Sequence, residues 1–250
     1  MSMTSLLARR LLLVAGLAAA LPAFAEDPIA TDRPDFVESS STVGHHVQLE
    51  TSVAATADEG VPLERSMPTL LRIGMGDAWE LRIETEGRVS AAGESDWSDV
   101  GIGVKHHLQD REGMPSMAWI AGAELPTGVG AHGRGVRPSL EFVAEWELAH
   151  DIGVGVMPGL SYERGDGDEG LAGLFAVVVG KSFADGHARV FGEVAAQRIP
   201  MHGDDGPETT LDAGASWRFG EDTQVDVAYS YGLSDAAADR AWTVGLSQRW

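Results

Sequence analysis

The stretch Ala-Trp-Thr-Val-Gly-Leu-Ser-Gln-Arg-Trp at residues 241–250 gives the first indication of the fold class. Trp242, Val244, Leu246 and Trp250 share one parity, and the other parity holds only small or polar side chains. Alternate side chains of a strand point to opposite faces, so this stretch predicts a strand with one apolar face and an aromatic residue at each end. Such a strand is typical of the closing strand of an outer-membrane barrel and, taken alone, equally of the last strand of a soluble sandwich.

Residues 1–25 have the composition of an export signal. Arg9 and Arg10 precede an apolar run, Leu11–Leu21, and Ala23-Phe24-Ala25 follows it. A positive start, a short apolar core and an Ala-x-Ala site predict a secretory signal peptide. A membrane anchor is the alternative, although the run is too short to span a bilayer as a helix.

The chain of 250 residues is acidic and contains no cysteine. Its formal net charge is −20, and loss of the two arginines of the predicted signal peptide would bring it to −22. This charge argues against nucleic acid as a partner, since phosphate binding needs basic groups. Without disulfides, an exported fold must be held together by hydrogen bonds and burial.

About twelve segments of roughly ten residues alternate in polarity between residues 45 and 250, and ten residues is the length that a tilted membrane strand needs. The clearest segment is Trp79–Val89, where Trp79, Leu81 and Ile83 fall on one face and the other face carries only charged side chains. The strands of a soluble sandwich also alternate in polarity, so the lengths of the connections between segments are needed to distinguish the two folds.

These connections alternate between short and long. The short ones are Gly76-Asp77, His150-Asp151, Ala184–Gly186 and Gly220–Asp222, with Asp110–Ser116 the longest of this set. The long ones are Asp58–Met67, Ser90–Asp96, Pro126–Arg137, Arg164–Gly170, Pro200–Pro207 and Ser234–Arg240. Short periplasmic turns, longer outer loops and tryptophans near strand ends are all typical of outer-membrane barrels.

We therefore predict an all-β fold over residues 45–250, a transmembrane antiparallel up-and-down β-barrel of about twelve strands. It would lie in the Gram-negative outer membrane as a monomer, in contact with the lipid bilayer and lipopolysaccharide. Both termini would be periplasmic, and Trp250 would be read by the outer-membrane assembly machinery.

Charged side chains on the second parity are predicted to line the lumen of this barrel. The pore-lining candidates are Glu50, Arg72, Glu80, Arg82, Glu84, Glu86, Glu141, Glu145, Arg189, Glu193, Asp212 and Arg218. Rings of charge set selectivity in pores, and an acidic excess would favour cations. The alternative is that these groups pair across the lumen and fill it, because buried charges need partners.

Residues 26–44 precede the first predicted strand and contain a proline among charged residues. We predict that Asp32, Arg33, Asp35 and Phe36 form a plug in or against the periplasmic mouth. In this hypothesis Arg33 meets inward carboxylates and Phe36 packs on an apolar wall. The alternative is a flexible periplasmic leader.

The motif Asp32-Arg33-Pro34-Asp35-Phe36, followed by Glu38-Ser39 and Gln48-Leu49-Glu50, resembles a family of outer-membrane barrel proteins. This family is labelled as transporters or as "putative MetA-pathway of phenol degradation". The resemblance implies an exported barrel that takes up small, aromatic or hydrophobic compounds. Ser40 and Ser41 stand where a proline would be expected nearby, and the family label carries no catalytic residue onto this chain.

The predicted function is therefore passive uptake of small solutes through a narrow acidic lumen, without a cofactor. Two alternatives stay open, a lipid- or peptide-hydrolysing barrel enzyme and a sealed structural barrel. An enzyme would need histidine and acid near the outer rim, where the candidates are His132, His202, Asp204 and Asp205. The pairs His45-His46 and His106-His107 predict no metal site, because adjacent strand residues point to opposite faces.

Overall fold

The computed structural model describes residues 28–250 except residues 130–134, 166–167 and 203–205. The signal peptide predicted over residues 1–25 lies outside the described residues. The described part of the chain folds into β-strands joined by turns and loops, and it contains no helix long and apolar enough to span a membrane.

Fifteen strand segments follow one another along the chain. They are β1 (Val47–Ala57), β2 (Glu64–Ser66), β3 (Thr69–Gly74), β4 (Trp79–Thr85), β5 (Arg88–Ala91), β6 (Glu94–Trp97), β7 (Val100–His107), β8 (Ser116–Leu125), β9 (Arg137–Leu148), β10 (Ile152–Gly165), β11 (Asp168–Phe183), β12 (Ala188–Pro200), β13 (Glu208–Phe219), β14 (Thr223–Gly232) and β15 (Arg240–Arg249).

These segments form a closed antiparallel barrel of twelve strands. Three barrel strands are interrupted, because β2 continues into β3, β4 into β5 and β6 into β7. Pro68, which has no N–H for the ladder, lies at the first break, and Gly87, with a φ of 68°, lies at the second. The barrel closes where β15 pairs with β1, from Gln48 opposite Arg249 to Ala57 opposite Arg240. The predicted barrel is confirmed.

Three of the predicted long loops are wrong in extent, and the first, Asp58–Met67, contains β2, which pairs with β1. Ser90–Asp96 is a continuation of the hairpin, in which β5 and β6 pair up to Ala91 opposite Glu94. Ala92 and Gly93 both have positive φ, 53° and 86°, as a two-residue hairpin turn requires. In Arg164–Gly170, pairing of β10 with β11 likewise continues to Gly165 opposite Asp168. Strands therefore project further beyond the barrel than composition suggested.

The barrel is apolar outside and polar inside. On β15, Trp242, Val244 and Leu246 are 46%, 55% and 47% exposed, whereas Ser247 and Arg249 are buried. An outward apolar band is what a lipid bilayer requires of a spanning strand. At the short-turn end, Trp79 and Trp119 contact each other edge to face on this outer surface, with ring centroids 5.5 Å apart. Tryptophan at that level is typical of a membrane interface.

Candidate functional site: the lumen and the segment inside it

Residues 28–46, here called the lumen segment, lie within the barrel. The segment starts beside the turn between β13 and β14, where the Ile29 N–H donates to the Glu221 carbonyl (2.7 Å). It ends beside the turn between β3 and β4, where the Gly74 N–H donates to the His46 carbonyl (2.9 Å). Both ends therefore lie at the short-turn end of the barrel, and the residues between them loop through the lumen.

Asp32 is the centre of the contacts between the lumen segment and the barrel wall. Its carboxylate accepts hydrogen bonds from Lys105 Nζ at 2.9 Å to both oxygens and from Arg82, and it lies 3.4 Å from Arg72 Nε. Burial alone would raise the pKa of Asp32, but the charges of Arg72, Lys105 and Arg82 outweigh burial and hold the pKa well below its usual range. Asp32 is therefore ionised inside the barrel.

Asp32 belongs to a larger charged cluster on the wall formed by β1, β3, β4 and β7. Arg82 Nη2 donates to Glu38 (2.7 Å), and Arg72 donates to Glu80 (2.8 Å) and to Glu50 (3.0 Å). The cluster consists of Asp32, Glu38, Glu50, Arg72, Glu80, Arg82 and Lys105. Burying this many charges is tolerable only because each meets an opposite charge.

Glu38 is the member of this cluster with an incompletely paired carboxylate, because among the described residues its buried Oε2 accepts no hydrogen bond. Burial raises the pKa of its carboxyl above the ordinary value of 4.5, against the opposing charges of Arg82 and Lys105. Oε1 accepts from Arg82, while Oε2 lies 3.4 Å from Lys105 Nζ. Glu38 therefore holds a proton more readily in the lumen than it would in water.

The opposite wall holds the lumen segment through a second set of polar contacts. Arg189 makes a bidentate ion pair with Asp35, at 3.1 and 2.7 Å. The Glu193 carboxylate accepts the N–H groups of Phe36 (2.8 Å) and Val37 (2.9 Å). Two wall residues thus fix three consecutive segment residues, and bidentate pairing fixes the Asp35 side chain in orientation as well.

An apolar wall faces the charged cluster across the lumen. Val37 is 4% exposed and packs into this wall, with Phe36 against its edge. The wall is formed by inward side chains of β8 to β12, namely Ile120, Val143, Met157, Ala176, Val178, Phe191 and Ala195. The lumen is therefore amphipathic in cross-section, with charges on one side and aliphatic and aromatic groups on the other.

The lumen segment separates two cavities. One, of about 450 Å³, lies toward the long-loop end and is lined by eight carboxylates and two guanidinium groups, from Arg33 and Arg82. The other, of about 980 Å³, lies toward the short-turn end and is lined by Arg189 and Arg218 among others. Asp35 lines both cavities, so this residue of the segment lies between them.

All twelve residues that the sequence suggested as pore-lining lie on the lumen side. Glu50, Arg72, Glu80 and Arg82 are at most 3% exposed and belong to the charged cluster. The others either contact the lumen segment or line one of the two cavities; they are Glu84, Glu86, Glu141, Glu145, Arg189, Glu193, Asp212 and Arg218.

Only some of the contacts that the sequence predicted for the lumen segment are present in the structure. Phe36 does lie against the apolar wall. Arg33, however, donates to the Ser52 hydroxyl (3.4 Å), and it has no carboxylate in ion-pair contact within the described part of the chain. The carboxylates of the charged cluster are held instead by Arg72, Arg82 and Lys105. Sequence reasoning also missed Lys105 as an anchor of the segment.

Only some of the rim residues that an enzyme would need lie within the described residues. His132, Asp204 and Asp205 lie outside the described residues. Within the ranges that the structure does describe, no three His, Asp or Glu side chains are grouped as metal ligands. His106, one of the paired histidines, stacks on Trp79 at a centroid distance of 4.2 Å on the outer surface.

The closed barrel of twelve antiparallel strands and its apolar outer band define a transmembrane β-barrel of the outer membrane. The chain belongs to the family described as "Putative MetA-pathway of phenol degradation", which it matches over residues 31–250.

Solved structures with the same fold are outer-membrane channels. The COG4313 outer membrane channel from Pseudomonas putida F1 is similar with a TM-score of 0.61 at 12% identity, covering 87% of this chain and 99% of that one. The KdgM porin gives 0.55 at 10% identity, covering 80% and 98%. The NanC porin gives 0.52 at 10% identity, covering 81% and 98%. A comparison with curated protein sequences finds no match.

Proposed function

We propose that this protein is an outer-membrane channel for passive uptake of small solutes and that the lumen segment holds it closed. The observation that carries the proposal is the position of Asp32–Ser41, which cross the lumen between the two cavities. A solute would pass when the segment moves aside, since the cavities lie on opposite sides of it. The short-turn end would face the periplasm, as in other outer-membrane barrels.

The segment is suited to such a role because it is bound by side chains rather than paired as a strand. Its contacts with the wall are ion pairs and hydrogen bonds to carboxylates, as with Asp35 on Arg189 and Ser40 N–H on Glu145 (2.6 Å). Contacts of this kind can be exchanged for contacts with a solute or with water. The family label favours small, aromatic or hydrophobic compounds as the solutes.

The remaining partners follow from the barrel itself. The outward apolar band would contact the bilayer, and the loops would contact lipopolysaccharide. The backbone of Trp250 pairs with that of Val47 (2.9 and 3.1 Å), so the terminal strand completes the barrel. We propose that the assembly machinery reads this strand. A monomer is expected, because one chain closes the sheet without a second copy.

A sealed structural barrel is the second candidate, and the charged cluster is the observation that favours it. Asp32 alone contacts three wall cations, all of them at most 3% exposed. If these contacts never break, the protein carries no solute.

Deletion of Asp27–Ser41 tests between the two candidates. In planar bilayers, the deletion variant should conduct several times more current per insertion than the intact chain, because the layer between the cavities is gone. Heat-modifiable gel mobility serves as the control for folding of the barrel. If the deletion variant is folded but conducts as little current as the intact chain, the channel proposal fails.

A further inference from the structure

We propose that the lumen surface covered by Asp32–Glu38 is a binding site for an organic carboxylate with an apolar body, and that the segment occupies this site in place of such a solute. The inference rests on the proposed channel function and names the class of solute. It follows from what the segment satisfies on the wall and from what its removal would leave exposed.

The first observation concerns Lys105. Within the described part of the chain, every hydrogen-bond and ion-pair partner of its ammonium group comes from the lumen segment: both Asp32 oxygens (2.9 Å), the Ser39 carbonyl (2.9 Å) and Glu38 (3.4 Å). No carboxylate of the wall itself pairs with it there. Lys105 is fully buried while the segment covers it, so when the segment leaves, this cation loses its anions and faces the lumen, where the carboxylate of a solute can replace them.

The second observation is that Arg189 is in the same situation on the other side of the lumen. Its hydrogen bonds among the described residues go to Asp35, which belongs to the segment. The guanidinium also lies 5.3 Å from the ring centroid of Phe191, a contact typical of a cation–π interaction. The barrel therefore presents two cations whose hydrogen-bonded anions are supplied by the segment, and Arg189 also lies in the field of the wall carboxylates Glu145 and Glu193.

The third observation is the position of the apolar wall between these two cations. Lys105 on β7 is opposite Ile120 on β8 in the strand register, and Arg189 on β12 adjoins Phe191. Ile120 and Phe191 both belong to the apolar wall. The wall thus runs from one cation to the other, and Val37 of the segment packs on it while Asp32 and Glu38 reach Lys105 and Asp35 reaches Arg189.

The segment therefore shows which ligand chemistry the site accepts. A carboxylate next to an apolar group satisfies both surfaces, as Glu38 next to Val37 does. A neutral aromatic compound would fill the wall but leave Lys105 buried without an anion, which is costly. A small hydrophilic anion would pair with Lys105 but leave the wall unfilled. An organic cation would meet Lys105 and Arg189 with like charge, whereas Glu193, which accepts the Phe36 and Val37 N–H groups while the segment is docked, can accept a hydrogen bond from a polar group of the solute.

The test measures whether such a compound displaces the segment. The chain has no cysteine, so Val37→Cys introduces a unique thiol on the covered face. The probe is 3-phenylpropionate, and the matched controls are 3-phenylpropan-1-ol, which lacks the charge, and propionate, which lacks the ring. We expect 3-phenylpropionate to accelerate maleimide labelling of the thiol by about tenfold or more in the full-length folded barrel, with little effect of either control.

Two further variants keep the result decisive. Ser41→Cys is a second reporter, to be used if Val37→Cys already labels as fast as Asp96→Cys, which lies on the exposed β5–β6 hairpin. Lys105→Gln, combined with the reporter, should raise the labelling rate without probe and abolish the preference for carboxylate over alcohol. Equal acceleration by alcohol and carboxylate, or no acceleration by either in both reporters, would overturn the inference.

The outcome also separates this inference from the proposed function. If deletion of Asp27–Ser41 raises conductance but 3-phenylpropionate does not speed up labelling, the channel stands and the ligand class is wrong. If the deletion leaves conductance unchanged, the proposed function itself fails.

Discussion

The ammonium group of Lys105 lies 2.9 Å from both carboxylate oxygens of Asp32, a residue 73 positions earlier in the chain. Lys105 is completely buried and Asp32 nearly so. The contact ties a residue of the seventh strand segment to a segment that precedes the first. Because neither charge can reach water while they are paired, the ion pair links the position of the lumen segment directly to the wall of the barrel.

Asp32→Asn should release the segment more than any other single change within it. The substitution leaves Lys105, Arg82 and Arg72 short of one buried carboxylate, and losing one partner of a buried ion pair typically costs about 3–5 kcal/mol. Arg33→Ala is the matched control, since Arg33 makes only a 3.4 Å hydrogen bond to Ser52, and such a bond contributes about 1 kcal/mol. Single-channel recording should show a large rise in open time for the first and a small one for the second. A larger effect of Arg33→Ala would contradict the charged cluster as the main anchor.

Gly155→Ala, a substitution in the barrel wall, should weaken docking of the segment. A methyl group at this position would lie 2.9 Å from Val37 Cγ1 and 3.0 Å from Val178 Cγ1, and valine side chains adjust poorly. Overpacking of this kind costs about 1–3 kcal/mol, which Val37 can avoid by leaving the wall.

Gly153→Ala provides the control on the same strand and the same face. A methyl group there meets no atom within 4 Å. Labelling of a Ser41→Cys reporter should be faster in the Gly155→Ala background and unchanged in the Gly153→Ala background. If both backgrounds label alike, Val37 does not contribute to docking.

Closure of the channel should depend on pH through Glu38. Burial raises the pKa of this carboxyl above 4.5, so the docked segment binds a proton more readily than the free one. Docking should therefore strengthen as the pH falls through the docked pKa toward 4.5. Asp32 acts in the opposite direction. Because its pKa is lowered in the docked segment, its contribution to docking is complete above pH 3.8 and is lost at more acidic pH.

The measurement is mean current between about pH 7 and pH 5, a window in which Asp32 stays ionised. The current of the intact channel should fall as the pH is lowered, and Glu38→Gln should reduce this slope, because it removes the titrating group. Glu38 is faced by Arg82, Lys105, Asp32, Glu84 and Glu141, all of which the variant retains. An identical slope in both proteins would assign the pH dependence to other groups.

Removing the segment should also change ion selectivity. Residues 28–41 contribute three carboxylates and one guanidinium, and their loss leaves Lys105 and Arg189 without these anions. Cation preference, expected of the intact acidic lumen, should therefore weaken in the Asp27–Ser41 deletion. Reversal potentials in an asymmetric salt gradient measure this directly. A stronger cation preference after deletion would contradict the conclusion that the segment supplies the anions paired with Lys105 and Arg189.

The barrel could be predicted from the sequence because period-2 alternation and turn residues are local signals. Trp79–Val89 was expected to be one strand; it forms β4 over Trp79–Thr85 and continues as β5 after a break at Gly87. The His150-Asp151 turn has the positive φ values, 68° and 58°, of a two-residue hairpin connection. Strand ends were less predictable. Ser90–Asp96 is polar and reads as a loop, yet pairing continues there because Ala92 and Gly93 alone make the turn.

The contents of the lumen could be predicted only in part. Parity places Glu80 and Arg82 inside, but it does not say which opposite charge each one meets. The partners of Asp32 come from three strands that lie between 40 and 73 residues further along the chain, and this depends on how the barrel closes. The apolar wall was hidden for another reason. Ile120 and Val178 are inward residues on strands whose outward faces are also apolar. A strand that is apolar on both faces shows no alternation of polarity along the sequence.

A reversible cross-link between the segment and the wall tests the central claim most directly. The Ser40 and Ser116 hydroxyls are 2.8 Å apart, and the chain has no other cysteine, so Ser40→Cys with Ser116→Cys should form one disulfide. In planar bilayers, the oxidised protein should stay closed, and adding a reductant to the same membrane should restore or exceed the current of the intact chain. Each single-cysteine variant controls for the reductant itself. If the oxidised, cross-linked protein conducts as well as the reduced one, the segment does not gate the lumen, and the account is wrong.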